Sequence, residues 1–204
     1  SGKLFRSNII RRLMSGIISD NTDRESGLIK SGATTYDDNK LQANIALVGF
    51  KIAVNGSLVK YNLVDQIMDE YTDASGIDTG ASTNETLTSS YYHGNGSDLT
   101  LQSNDTTAEV EPDYVDMVCL MEDGAGTATI NTDIKGYISE DSGVTFTQGT
   151  FVNEGSWGTN KTILAFHDLD ISAQSGTSMC YKITTHNQSG SKITRIHASS
   201  IGWK

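Results

Sequence analysis

The chain of 204 residues holds one proline and two cysteines, has no Lys or Arg between Leu63 and Asp133, and offers no apolar run near the roughly 20 residues of a bilayer-spanning helix. Each shortage removes a class of protein. Cys119 and Cys180 lie too far apart to staple a small disulfide fold or to complete an all-cysteine zinc site. Both sit in apolar runs and are expected as buried free thiols. The first residues carry no basic region followed by an apolar stretch and a small-residue cleavage site, so neither a membrane partner nor a secretion signal is expected. His93, His167, His186 and His197 are scattered, without metal-ligand spacing. No G-x-S-x-G elbow or phosphate-binding P-loop occurs. The reading therefore assigns no metal, no cofactor and no catalytic residue.

What is present is a charge pattern. The net charge is -10. Residues 1–62 carry nine basic and five acidic side chains, and residues 63–133 carry fifteen acidic and no basic ones. The remainder, from Ile134, has six basic and five acidic side chains. Fifteen unopposed carboxylates repel phosphate, which excludes nucleic acid as a partner of the body. A basic head on an acidic body divides the chain into residues 1–62, for docking and oligomerisation, and a 63–204 domain.

Within the head, Phe5, Ile9, Leu13 and Ile17 recur every four residues and predict an amphipathic docking helix over Leu4 to Ile18. Asp20 to Ala43 is polar and aperiodic and reads as an extended arm. In the run from Ala46 to Val64, Asn55-Gly56 between apolar stretches predicts a hairpin, although Ile45, Val48 and Ile52 also fit a helical face.

Beyond Leu63 the pattern changes to short strands between turn residues. Candidates cover 64–71, 99–103, 114–121, 128–130, 134–139, 145–152, 162–168, 178–185 and 194–203. Ile134, Gly136 and Ile138 alternate with Lys135, Tyr137 and Ser139, giving one inward and one outward face. Close spacing without intervening helices predicts an all-β fold, an antiparallel two-sheet sandwich of jelly-roll-like form, preceded by the helix and arm.

Ser139, Asp141, Gly143, Thr145 and Phe146 match an Asp-box, S-x-D-x-G-x-T-[WF]. Such a box is a hairpin element: the carboxylate accepts turn amides, the glycine turns left-handed and the aromatic ring packs below. Sialidases repeat the box on several blades and need three arginines around the substrate; here it occurs once, and Arg195 is the only arginine after Arg24. The neighbouring carboxylates Asp65, Asp69, Glu70, Asp73 and Asp78 admit three readings: a solvated strand face, a calcium site around Gly76, or a catalytic pair. Even spacing of Asp65, Asp69 and Asp73 favours the solvated face.

The blocks Tyr61 to Asp78, Ala81 to Asn84, Tyr91-Tyr92, Ile130 to Gly143, Asn153 to Gly155, Ser175 to Ile183 and Ile196 to Trp203 together resemble structural proteins of tailed bacteriophages and marine viruses. That resemblance implies a virion component with a lectin-like sandwich, other virion proteins as partners, and a homo-oligomer, with a trimer favoured. Its leading functional expectation is a tail fibre or spike that attaches to a host-surface glycan. A capsid decoration or cement protein working through subunit contacts is the alternative, and a glycan-cleaving enzyme the weaker one. Because shallow sugar sites use exposed aromatics with amide or carboxylate acceptors, Tyr91, Tyr92, Asn95, Asn153, Trp157 and Asn160 are the candidate ligand residues.

Overall fold

Residues spaced two apart build the long strands. In the run from Tyr114, Val115, Met117, Cys119 and Met121 point to one side and are fully buried between sheets, while Asp116, Val118, Leu120 and Glu122 point to the other. The structure, a computed structural model, describes residues 31–204, with side chains from residue 41 onward. The predicted docking residues Phe5, Ile9, Leu13 and Ile17 lie outside the described residues.

Among the described residues, one helix, α1 (Ser31–Lys60), is followed by twelve strands: β1 (Asp65–Asp69), β2 (Thr86–Thr88), β3 (Tyr91–His93), β4 (Thr100–Gln102), β5 (Thr106–Thr107), β6 (Tyr114–Ala125), β7 (Ile134–Ser139), β8 (Thr147–Gly149), β9 (Val152–Ser156), β10 (Lys161–Asp170), β11 (Ser178–Thr185) and β12 (Ile193–Trp203). They pair antiparallel in two sheets. The seven-stranded sheet runs β2-β3-β12-β6-β10-β9, with β1 also on β12; the five-stranded sheet runs β4-β11-β7-β8, with β5 also on β11. This is an all-β, jelly-roll-like two-sheet sandwich. Trp203, Tyr71, Tyr92, Tyr181, Leu101 and Met117 are among the largest side chains sealed inside it.

The chain divides into compact units Ser1–Ala43 and Asn44–Lys204. Residues 44–62 fall in the second of these units. The extended arm predicted over Asp20 to Ala43 is corrected from Ser31 onward, where the chain is helical, and its first part, 20–30, lies outside the described residues. The hairpin is corrected too: Asn55 and Gly56 lie inside α1, on its exposed side. Asn and Gly cost a helix at most about 1 kcal/mol each. Burial of Ala46, Phe50 and Val54 against Val118, Leu120, Ile163, Ala165 and Ala198 outweighs that cost, since burying one Phe or Val contributes about 1.5–3 kcal/mol. Trp157 joins this layer, and its ring lies so close to Gly49 that a β-carbon there would stand 2.3 Å from it.

Cys119 and Cys180 are free and buried, and burial pushes both thiols up to about 12. A disulfide-exchange reagent is expected to leave the folded chain unmodified and to titrate two thiols after denaturation; rapid reaction before unfolding would contradict this burial.

Candidate functional site

The sharpest local motif is the Asp-box turn. Ser139 Oγ donates to Asp141 Oδ1 at 2.6 Å, and Asp141 accepts the amides of Val144 and Thr145 and the Thr145 hydroxyl. Gly143 has φ 78°, the left-handed conformation that glycine adopts without strain. Burial would raise the Asp141 carboxyl, but these donors more than offset it and hold it at about 2. Asp141→Asn is expected to lower stability by about 1–2 kcal/mol in urea melts, through loss of charge-assisted bonds. No loss would show that the turn forms without its carboxylate.

The predicted ligand residues do not converge. Tyr92 is a core residue, 2% exposed, and packs edge-on to Tyr71 with ring centroids 5.0 Å apart. It offers no platform to a sugar. Trp157 is engaged by α1. Tyr91 is half-buried beside Arg195, His197 and His93. Asn95 and Asn160 occupy left-handed turn positions, and Asn153 Oδ1 accepts the amide of Gly155. Aromatic residues near turns are equally suited to plugging the sandwich, as Tyr92 does, and to packing on the helix layer, as Trp157 does.

A second constellation resembles a hydrolytic triad in residue type alone. His167 Nδ1 lies 2.6 Å from buried Asp116 Oδ2 and 3.5 Å from Ser57 Oγ, with Tyr61 stacked on the ring at 4.3 Å. A nucleophilic triad requires serine and carboxylate on opposite ring nitrogens. Here both face Nδ1, while Nε2 stands 4.0 Å from Glu154. The group is a clamp holding the end of α1 on the seven-stranded sheet.

A cavity of about 300 Å³ lies where the edges of the two sheets meet. β1 ends on Asp69, and Tyr71, at φ 52° and fully buried, throws the chain across that edge. The following loop is fastened to the β4–β5 connection: Asn104 donates its amide to Gly76 O at 2.9 Å and its side-chain Nδ2 to Ser75 O at 2.7 Å. Asp73 stiffens the loop by accepting the Ser75 amide at 2.8 Å. Asp69, Asp73, Ser75, Asn104 and Thr106 thereby line one wall set, with Tyr181 of β11 and Ile67 and Met68 of β1 completing it.

The electrostatics of this cavity are one-signed, since no Lys, Arg or His is among its lining residues. Asp69 Oδ1 accepts the Tyr71 amide at 2.7 Å, whereas Oδ2 has no hydrogen-bond partner. Burial raises the Asp69 carboxyl above its ordinary range; the Tyr71 amide opposes the rise, and Asp73 and Glu70 reinforce it. Gly76 presses on the same group: a β-carbon there would lie 2.0 Å from Oδ2. The solvated-face reading of Asp65, Asp69 and Asp73 is corrected accordingly. Asp65 is exposed on β1, but Asp69 is half-buried and shares the cavity with Asp73, which lies beyond the strand. Among the described residues, no group of three or more His, Cys, Asp or Glu side chains is placed to hold a metal ion. Residues 64–78 could have been marked from the clustered carboxylates around Gly76. Asn104, Thr106 and Tyr181 carried no local signal.

An alternative aromatic surface lies on the outer face of the five-stranded sheet. Lys182 Nζ sits 3.5 Å from the Phe146 ring centroid and 5.3 Å from that of Tyr137. Burial lowers the Lys182 ammonium below its ordinary range. The cation already covers the ring faces on which a sugar would stack.

No family model and no curated protein matches the chain. Solved structures include a C-terminal family-6 carbohydrate-binding module of a laminarinase from Zobellia galactanivorans, with TM-score 0.40 and 10% identity over 68% of this chain and 99% of that one. A family-15 xylan-binding module gives TM-score 0.42 and 8% identity over 68% and 96%. A family-36 carbohydrate-binding module solved with calcium and xylotriose gives 0.36 and 10% over 67% and 98%. These similarities are too low to carry an argument, and the sandwich is described from its own strand pairing.

Proposed function

We propose that the sandwich is a non-catalytic binding module for a neutral, polyhydroxylated ligand, a host-surface glycan, and that it serves as a virion tail-fibre or spike component. The observation that carries the ligand class is the edge cavity, with two carboxylates, the Asn104 side chain and no cation among its lining residues. Hydroxyl donors of a sugar satisfy such acceptors, while an anionic ligand would meet only repulsion. At about 300 Å³ the cavity is at the small end of ligand sites and suits one end of a glycan chain rather than a long stretch of it.

The virion role follows from the family resemblance of the sequence blocks and is a separate component of the proposal. A cement protein would need contacts between subunits but no sugar site. Full-length protein on a panel of neutral and acidic glycans tests the binding reading. Retention of neutral glycans, lost in Asp69→Asn, is expected; silence across the panel, or capture of acidic glycans alone, would overturn it. Reducing-sugar release that Asp69→Asn abolishes would instead establish the enzyme reading.

A further inference from the structure

α1 is apolar on two opposite faces. Ala46, Phe50 and Val54 face the sheet and are buried, yet Ile45, Val48, Ile52 and Val59 are 42%, 55%, 59% and 77% exposed. A soluble helix resting on its own domain ordinarily turns a polar face to water, and one that is apolar all round is buried on both sides.

The exposed set has an order of its own. Ile45 to Val48 is three residues, Val48 to Ile52 four, and Asn55 and Val59 continue at three and four; in the sequence the same spacing extends back to Leu41. This is the alternation of a coiled-coil seam, with β-branched Ile45, Ile52 and Val59 at one seam position and Val48 and Asn55 at the other. Lys51, beside the seam, is drawn away from it by an ion pair with Glu70 at 2.6 Å. Gly56, also beside it, has open space around it.

We propose that α1 joins copies of this chain in a parallel, in-register assembly through Ile45, Val48, Ile52 and Val59. The four side chains expose on the order of 350 Å² of apolar surface per copy. Flanking Asn44, Asn55, Gly56 and Lys60 are exposed and extend the strip toward the roughly 1,000 Å² in total that a specific interface needs. Asn55 selects the arrangement. In parallel register it meets Asn55 of another copy and each amide finds a partner, whereas a shifted or antiparallel seam sets it against Ile or Val and leaves it unpaired. The acidic charge of the body is no obstacle along the seam, since residues 41–60 carry Lys51 and Lys60 and no carboxylate.

The assembly also has a consequence for binding. Copies held side by side present several small cavities to one surface, and linked weak sites bind far more tightly than single ones.

The test is the mass of the full chain in solution by light scattering. The native chain is expected at two or more times 22.0 kDa. The Ile45→Lys/Ile52→Lys variant is expected at a single chain's mass with an unchanged β-sheet circular dichroism spectrum. A native monomer at 100 μM, or an oligomer that survives both lysines, would overturn the proposal. Val48→Cys supplies a check that does not depend on lysine tolerance: mild oxidation is expected to cross-link chains through position 48, because the native thiols are buried, and absence of cross-links contradicts the register. Asp69→Asn should leave the mass unchanged, so failure of the cavity reading and failure of this one are distinguishable.

Discussion

Glycan affinity is expected to fall roughly 10- to 100-fold in Asp69→Asn, as measured by calorimetry with full-length protein and the glycan retained most strongly on the panel. The substitution preserves the size of the side chain and removes its charge. Hydrogen bonds to a charged acceptor contribute about 1.5–3 kcal/mol, which corresponds to that range of affinity. Gly76→Ala should have a similar effect by a different route, because its β-carbon cannot share space with Asp69 Oδ2 and must displace the carboxylate. Asp65→Asn, on the exposed part of β1, serves as the control and should change nothing. The pH dependence has a defined sign. Burial raises the Asp69 carboxyl above its ordinary 3.8, so binding should weaken on acidification at a higher pH than an ordinary carboxylate would cause.

Glu140→Gln is expected to stabilise the protein by about 2–3 kcal/mol at pH 8 and to leave it nearly unchanged at pH 4. Glu140 is fully buried, and neither of its carboxyl oxygens has a partner. Burial, followed by the charges of Glu111, Asp141 and Asp113, pushes its carboxyl from 4.5 to about 7. A carboxyl raised in the folded state favours folding while it is protonated, below about 4.5, and that contribution is lost as pH rises through 7. At pH 8 the folded protein must hold a buried, unpaired charge beside other carboxylates, and glutamine removes that cost. Other groups slope the opposite way. Burial would raise Glu122, but His197 and Lys161 more than offset it and hold it at about 2, so its contribution persists above 4.5 and fades on acidification. Native stability in urea should therefore peak between about pH 4.5 and 6, and Glu140→Gln should carry the plateau to pH 8. An identical pH profile in native and variant proteins would mean that Glu140 is hydrated or paired.

The sandwich was legible in sequence wherever a strand was long enough to alternate. β6, β7 and β11 announce themselves through inward Val, Ile, Met and Tyr at every second position, whereas bulges in β12 break its alternation between Ile196 and Ile201. β2, β3 and β5 have two or three residues each and give no period to detect. The predicted strand at 128–130 is reduced to a single bridge between Ile130 and Ile134. Residues 145–152 divide between β8 and β9. Asn55-Gly56 misled because local turn preference is weaker than the burial of Phe50 and Val54 three and four residues around a helix. That conflict was visible in Ile45, Val48 and Ile52, whose spacing suits a helix and which the helix then leaves exposed.

The site was legible only in half. The carboxylates near Gly76 stand out in any reading of the chain, but their use depends on partners far away in sequence. Asn104 reaches Ser75 across 29 residues, and Tyr71 and Tyr181 join hydroxyls across 110, at 3.2 Å. Long-range closure of this kind follows from which edges of the two sheets meet, and no local pattern encodes it. Tyr92 and Trp157 have the right chemistry for sugar stacking, but Tyr92 is sealed in the core and Trp157 packs partly buried against α1.

Amide shifts of the full-length chain during titration with a neutral oligosaccharide address the cavity most directly. Perturbations are predicted to gather on Ser75, Gly76, Asn104 and Thr106 and to vanish in Asp69→Asn. Shifts confined to the Tyr137 and Phe146 face, or none at saturating sugar, would contradict recognition at the sheet edge.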